Sequence, residues 1–129
     1  MKVDIENRED IYSIVSLFYS KLFDDEEMSP FFVDFRESSS LEKHLHVLVD
    51  FWDGVLFDSG TYKSNAIAPH LEKNKSIPFE DRHFKKWMKL FSESVDFLFE
   101  GQSAETIKSR AQSIATVMQI KIIQLSNNQ

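Results

Sequence analysis

Four histidines, His44, His46, His70 and His83, are the most chemically versatile side chains in this 129-residue sequence, which contains no cysteine. A neutral imidazole can ligate a metal or move a proton near neutral pH. The lack of cysteine removes disulfides, thiolate zinc sites, Cys-ligated iron–sulfur clusters and thiol nucleophiles. Glu80-x-x-His83 matches half of the di-iron bundle motif. That motif needs a second Glu-x-x-His on a facing helix, and the sequence has none. There is no H-E-x-x-H, nucleophile elbow or phosphate-cradling glycine loop. A histidine without such company is ordinarily a surface or core residue. The helix face on which each one stands therefore decides its role.

Helical periodicity dominates the chain, and no strand, internal repeat or domain linker stands out. Asn7 is placed to cap a first helix, with Asp10 three residues on as the weaker half of a capping box. Ile11, Ile14, Val15, Phe18 and Leu22 then recur at spacings of three and four, with Tyr19 beside their face. Asp24 to Glu27 is an acidic break. Pro30 then opens a short helix or turn that carries Phe31, Phe32 and Phe35. Ser39 with Glu42 matches a capping box before a helix from Leu41 to about Phe57. Leu41, Leu45, Leu48, Trp52 and Val55 form its inner face, which His44 shares. His46 lines up with Asp50 and Asp53 and is expected to face water.

Asp58 to Asn65 reads as a loop, and Ala66 to Leu71 as one or two helical turns around His70. Glu72 to Ser76 is polar and irregular. A long helix is expected from about Glu80 to Phe99, with Phe84, Trp87, Met88, Phe91, Val95 and Leu98 inward and Gly101 just past its end. A last helix opens at Ser103, with Glu105 favourable in its first turn. Its stripe is Ile107, Ala111, Ile114, Ala115, Met118, Ile122 and Leu125. Ser126 to Gln129 is expected to fray.

Composition sets outer bounds. Hydrophobic residues make up 42% and charged residues 28% of the chain, which reads as one globular all-α domain over residues 1–129. Twelve phenylalanines are many for so small a core. They suit an aromatic helical core and equally the surroundings of a flat ligand. The net charge of −6 with no basic stripe argues against nucleic-acid binding. Met1 to Glu6 lacks the apolar core of a signal peptide, and no apolar run reaches a membrane span. The expectation is a cytoplasmic monomer with no membrane or nucleic-acid partner.

Several pieces, in order, carry a family resemblance. Phe18-Tyr19 stands on the first helix and Pro30-Phe31-Phe32 at the next corner. His44 follows, then Phe51-Trp52. Tyr62 precedes His70 by eight residues. The run His83 to Phe91 then stands before Arg110-Ala111-Gln112 and Ile114-Ala115. From about Ile11 to Met118 this order and spacing resemble the group III truncated haemoglobins. The resemblance implies a shortened globin fold, two helix pairs stacked across each other around a haem b. It makes His70 the proximal iron ligand. Tyr19, Trp87 and His44 become distal groups, Phe32 the ring against the haem face, and Leu48 an apolar distal contact. The sequence departs from the family after His70, where Leu71 to Pro78 is about three residues longer than usual. That puts the haem-edge contacts in question more than ligation, because lengthening a surface loop costs little.

The resemblance also sets the chemistry. An iron held by one imidazole keeps its sixth position open for O₂, CO, NO or peroxide. A phenol or indole donor aimed at a ligand that gains negative charge makes a charge-assisted hydrogen bond. Each such bond is worth roughly 1.5–3 kcal/mol, about ten- to a hundredfold in affinity. Oxygen binding or transport is thus implied, although slow release suits sensing or scavenging better than delivery. The alternative is a haem redox enzyme, peroxidase-like or a nitric-oxide dioxygenase, served by an external reductase because the chain has no flavin or nicotinamide domain. A haem-free helical interaction module is the third reading.

Overall fold

The computed structural model describes residues 2–35, 38–57 and 80–127. The expected turns around His70, the loop from Asp58 and the long segment after His70 lie outside the described residues, as does Tyr62. Four α-helices and one 3₁₀ helix make up the described chain, with no strand among its residues.

Helix α1, Arg8–Asp24, starts where the sequence signals it. The Asn7 side chain accepts from the Asp10 backbone N–H at 3.0 Å. Asp10 reaches back to accept from the Glu6 N–H at 2.8 Å. The helix stops at an aspartate. The Asp25 carboxylate accepts from the backbone N–H of Glu27 and Met28, turning the chain into a 3₁₀ helix over Ser29–Phe35. Those bonds satisfy donors that would otherwise be lost at a helix end. The turn brings Met28, Phe31 and Phe32 into the core.

Helix α2, Ser38–Phe57, begins one residue before the expected Ser39 cap, so Ser39 lies inside it. The Glu42 carboxylate instead accepts from the Tyr12 hydroxyl at 2.6 Å and links α2 to α1. Leu45 and Trp52 are buried as expected, while Leu41, Leu48 and Val55 are half-buried at the margin. Val49, absent from the expected face, is buried. Asp53 is a correction: it is buried rather than water-facing. Its carboxylate lies 2.9 Å from the Arg8 guanidinium, which also pairs with Asp50. A charge at the end of a long α1 side chain thus allows an inward carboxylate, which helical periodicity within α2 alone cannot reveal.

Helix α3, Asp81–Leu98, has Glu80 as its N-cap residue. His83 is buried, and its Nδ1 accepts from the Glu80 backbone N–H at 2.8 Å. Half of the di-iron motif is here a helix cap. Helix α4, Gln102–Asn127, follows after a three-residue corner and runs past the expected fraying point at Ser126. α1 packs on both α2 and α3, α3 packs on α4, and α4 returns to α2. Phe18 lies edge-on to Phe91 at 5.2 Å, and Phe91 stacks with both Trp87 and Trp52. Among the described residues no helix is long and apolar enough to cross a membrane.

Candidate functional site

Tyr19 stands in the fourth turn of α1, where i+4 and i+8 spacing from Val15 and Ile11 turns it toward the core. It is 2% exposed. Its hydroxyl lies 2.7 Å from Nε2 of His44, which projects from the second turn of α2. Four walls close around the phenol ring. Phe32 meets it edge-on at 5.5 Å, Phe18 at 5.7 Å, His44 at 5.2 Å and Phe23 at 6.1 Å. Each of these rings presents an edge or face in the arrangement that aromatic quadrupoles favour.

Trp87 joins from α3. Phe18 stands between it and Tyr19, with its ring centroid 5.5 Å from that of Trp87. The indole Nε1 is buried. The three expected distal groups therefore come from three different helices: Phe18 touches Tyr19 and Trp87, and His44 joins through Tyr19. Leu48 follows His44 by one turn of α2 and is half-buried. The fold thus gathers Tyr19, His44, Phe32 and Trp87 in one aromatic region. His70 lies outside the described residues.

Burial sets the protonation of the pair. It pushes the His44 imidazole down to about 4 and holds the Tyr19 phenol far above its usual range. At neutral pH both are uncharged, and a short hydrogen bond joins them. The donor set fits one face of a haem. It offers uncharged N–H and O–H groups to a small ligand, and flat apolar rings to a macrocycle. His46 has no part in it: its side chain is 66% exposed and lies 3.6 Å from Glu42. Among the described residues, no group of three or more His, Asp or Glu side chains gathers as a metal site.

The direct bond between Tyr19 and His44 is what sequence reasoning missed. Both residues point inward by periodicity, but their 25-residue separation gives no register between α1 and α2. The Tyr12–Glu42 bond, farther along the same two helices, is the one other polar pair among the described residues that fixes that register from a tyrosine on α1.

A helical domain that gathers a Tyr–His pair and a Trp beneath aromatic rings has the organisation of a small globin. The comparisons with known proteins bear this out. The chain is 31% identical over 121 residues to group 3 truncated hemoglobin ctb of Campylobacter jejuni, covering 92% of this chain and 93% of the relative. The crystal structure of the group III truncated hemoglobin from Campylobacter jejuni superposes with a TM-score of 0.81 at 29% identity, over 95% of each chain. No protein-family model matches the chain. This chain belongs to the group III truncated haemoglobin family, and its fold is that of a truncated globin.

Proposed function

We propose that the chain holds haem b with His70 as the axial ligand and reversibly binds O₂ or a related diatomic gas beside Tyr19, His44 and Trp87. The observation that carries this reading is the buried Tyr19–His44 bond, set among aromatic rings. When bound, haem supplies an iron with one open coordination position. The work of the chain's own residues is to donate. A Tyr19 hydroxyl or Trp87 indole can hold a ligand that gains partial negative charge, and the neutral His44 can accept a proton or, in its other tautomer, donate one. Phe32 and Phe18 exclude water, which strengthens each of these bonds. Leu48 supplies an apolar contact at the pocket margin.

The test is the absorption spectrum of the purified chain before and after addition of haem b. An intense Soret band, a five-coordinate imidazole signature in the ferrous state and reversible change under O₂ are expected. A chain that takes up no haem would return the haem-free interaction module as the better reading. A redox role as a peroxidase or nitric-oxide dioxygenase draws on one observation, the buried imidazole of His44, which is unprotonated at neutral pH and so carries a lone pair, although burial makes it a weaker base. Such a role needs a separate reductase. Turnover with peroxide or nitric oxide separates it from simple gas binding.

A further inference from the structure

A concavity whose lining includes neither Tyr19 nor His44 lies between α2 and α4. It has a volume of about 430 Å³ and is lined by Phe51, Val55, Arg110, Ser113, Ile114 and Val117. The α4 residues stand at i, i+3, i+4 and i+7, so they form one continuous stripe along the helix. Phe51 and Val55, one turn apart on α2, make the opposite wall. Phe51, Val55 and Ile114 are half-buried, and Val117 is 42% exposed. The groove is thus apolar along its length, with Arg110 at one end.

Arg110 differs from the other described arginines. Arg8 pairs with Asp50 and Asp53, and Arg82 with Glu27 and Glu80. Arg110 has no carboxylate partner among the described residues. The helix beneath it is locally basic in a chain of net charge −6: Lys108, Arg110 and Lys121 stand against Glu105 alone. Glu105 is already matched by Lys108 at 2.7 Å. Ser113 donates its hydroxyl to the Ser109 carbonyl at 3.3 Å, so donation to an anion falls to Arg110. A guanidinium fork is shaped for a carboxylate. From Arg110 to Val117 the stripe runs about 10 Å along the helix axis at about 1.5 Å per residue.

The geometry points to a binding site for an amphiphilic carboxylate in this groove, a medium-chain fatty acid anion with its head on Arg110 and its tail along Ile114, Val117, Val55 and Phe51. Charge complementarity selects the anion, the apolar walls select the chain, and the size falls within the range of small-ligand pockets, about 300–1,000 Å³. The site shares no residue with the proposed haem site, so its fate is independent of that reading.

Calorimetric titration of the chain as purified, with or without haem, with decanoate below its micelle concentration tests the assignment. Decanol and decyltrimethylammonium serve as the neutral and cationic probes. One decanoate per chain is expected, with a Kd below about 1 mM. Arg110→Gln, an exposed change, is expected to weaken decanoate about tenfold, the loss of one charge-assisted hydrogen bond, and to leave decanol unaffected. Val117→Glu is expected to abolish decanoate binding, with an unchanged circular dichroism spectrum. The proposal is overturned by absence of decanoate binding, by equal binding of the cationic probe, or by an Arg110→Gln variant that binds decanoate as well as wild type. It is also overturned if sedimentation shows that the groove is covered by a second copy, as a dimer that Val117→Glu dissociates and decanoate does not.

Discussion

The Tyr19 hydroxyl sits 2.7 Å from Nε2 of His44, and the pair is enclosed by aromatic rings. On the proposed reading, a gas bound beside this pair must share Tyr19 with His44 or displace one from the other. Tyr19→Phe removes the hydroxyl and little volume. O₂ dissociation is expected to quicken by roughly ten- to a hundredfold if Tyr19 donates to the ligand. CO, which carries little charge, should respond much less. Stopped-flow dissociation of both gases from the wild type and the variant checks this. Slower O₂ release in the variant would assign the ligand contact to a His44 released from Tyr19. Unchanged rates for both gases would reduce Tyr19 to packing.

The same pair makes stability depend on pH. Burial lowers the folded-state value of His44 to about 4 from an ordinary 6.5. Between those limits the unfolded chain binds the proton and the folded chain does not, so stability falls as pH falls from about 6.5 toward 4. The full effect is on the order of 3 kcal/mol. Urea denaturation of wild type at pH 7 and pH 4.5 should show most of that loss. In His44→Gln the loss over this window should shrink. An equal loss in both proteins would mean that some other group governs the acid transition.

His46 supplies the contrast. It stands two residues from His44 on the same helix, yet its side chain is 66% exposed and approaches only the ring of Tyr12 and the carboxylate of Glu42. His46→Ala should leave O₂ kinetics within about twofold and stability within about 0.5 kcal/mol. A His46→Ala effect on O₂ release comparable to that of His44→Ala would contradict the placement of the two faces.

The contrast also marks how far the sequence carries. Helical spacing separates His44 from His46 because an α-helix turns each residue about 100° from the last, and only one of the two shares a line with Leu48 and Trp52. The same reasoning misplaces Asp53, because it counts polar residues as water-facing and cannot see Arg8, 45 residues away, lying over that carboxylate. Asn7 and Asp10 are legible as a cap because their partners lie three residues apart. The cap that Asp4 makes on α4 spans 99 residues to Ser103 and is legible only in the fold. Among the site residues, Tyr19, His44, Phe32 and Trp87 are found in one region. Their mutual contacts depend on how α1, α2 and α3 dock, and no local pattern encodes that.

His70→Ala tests the proposed axial ligand. The described core is built from α1, α2, α3, α4 and the 3₁₀ helix. Loss of one imidazole should leave the far-ultraviolet circular dichroism of these helices largely intact while the imidazole-ligated spectrum disappears. Added imidazole should restore a ligated spectrum by filling the vacated position. A variant that keeps a normal five-coordinate imidazole spectrum without that addition would transfer ligation to another histidine.

Asp4 and Gly101 interlock where the N-terminal segment meets the start of α4. The Asp4 carboxylate accepts from the backbone N–H of Ser103 and Ala104, each at 2.9 Å, and so caps α4 from outside the helix. Burial alone would raise its pKa, but the N–H groups of Ser103, Ile5, Ala104 and Gln102 outweigh that and hold the carboxyl below its ordinary value. Gly101 makes room for it. Its φ of +143° is one that side chains rarely adopt, and a Cβ there would stand 2.5 Å from the Asp4 Cγ. Asp4→Ala should cost about 1 kcal/mol at pH 7, the usual worth of a helix cap. Gly101→Ala should cost more, about 2 kcal/mol, since it adds backbone strain to expulsion of the cap. A folded-state pKa held low means the contribution is complete above the ordinary carboxylate range and is lost as pH falls through the lowered value. Wild type and Asp4→Ala should therefore differ at pH 7 and converge in acid. The two sites should also couple: with Asp4→Gly as the background, where neither Cβ nor carboxylate remains to collide, Gly101→Ala should cost less than it does in the wild type. Denaturant titrations of the two single variants and the double variant give the coupling directly. Additive losses would show that Gly101 is held by its backbone conformation alone and that the close approach of Asp4 contributes nothing.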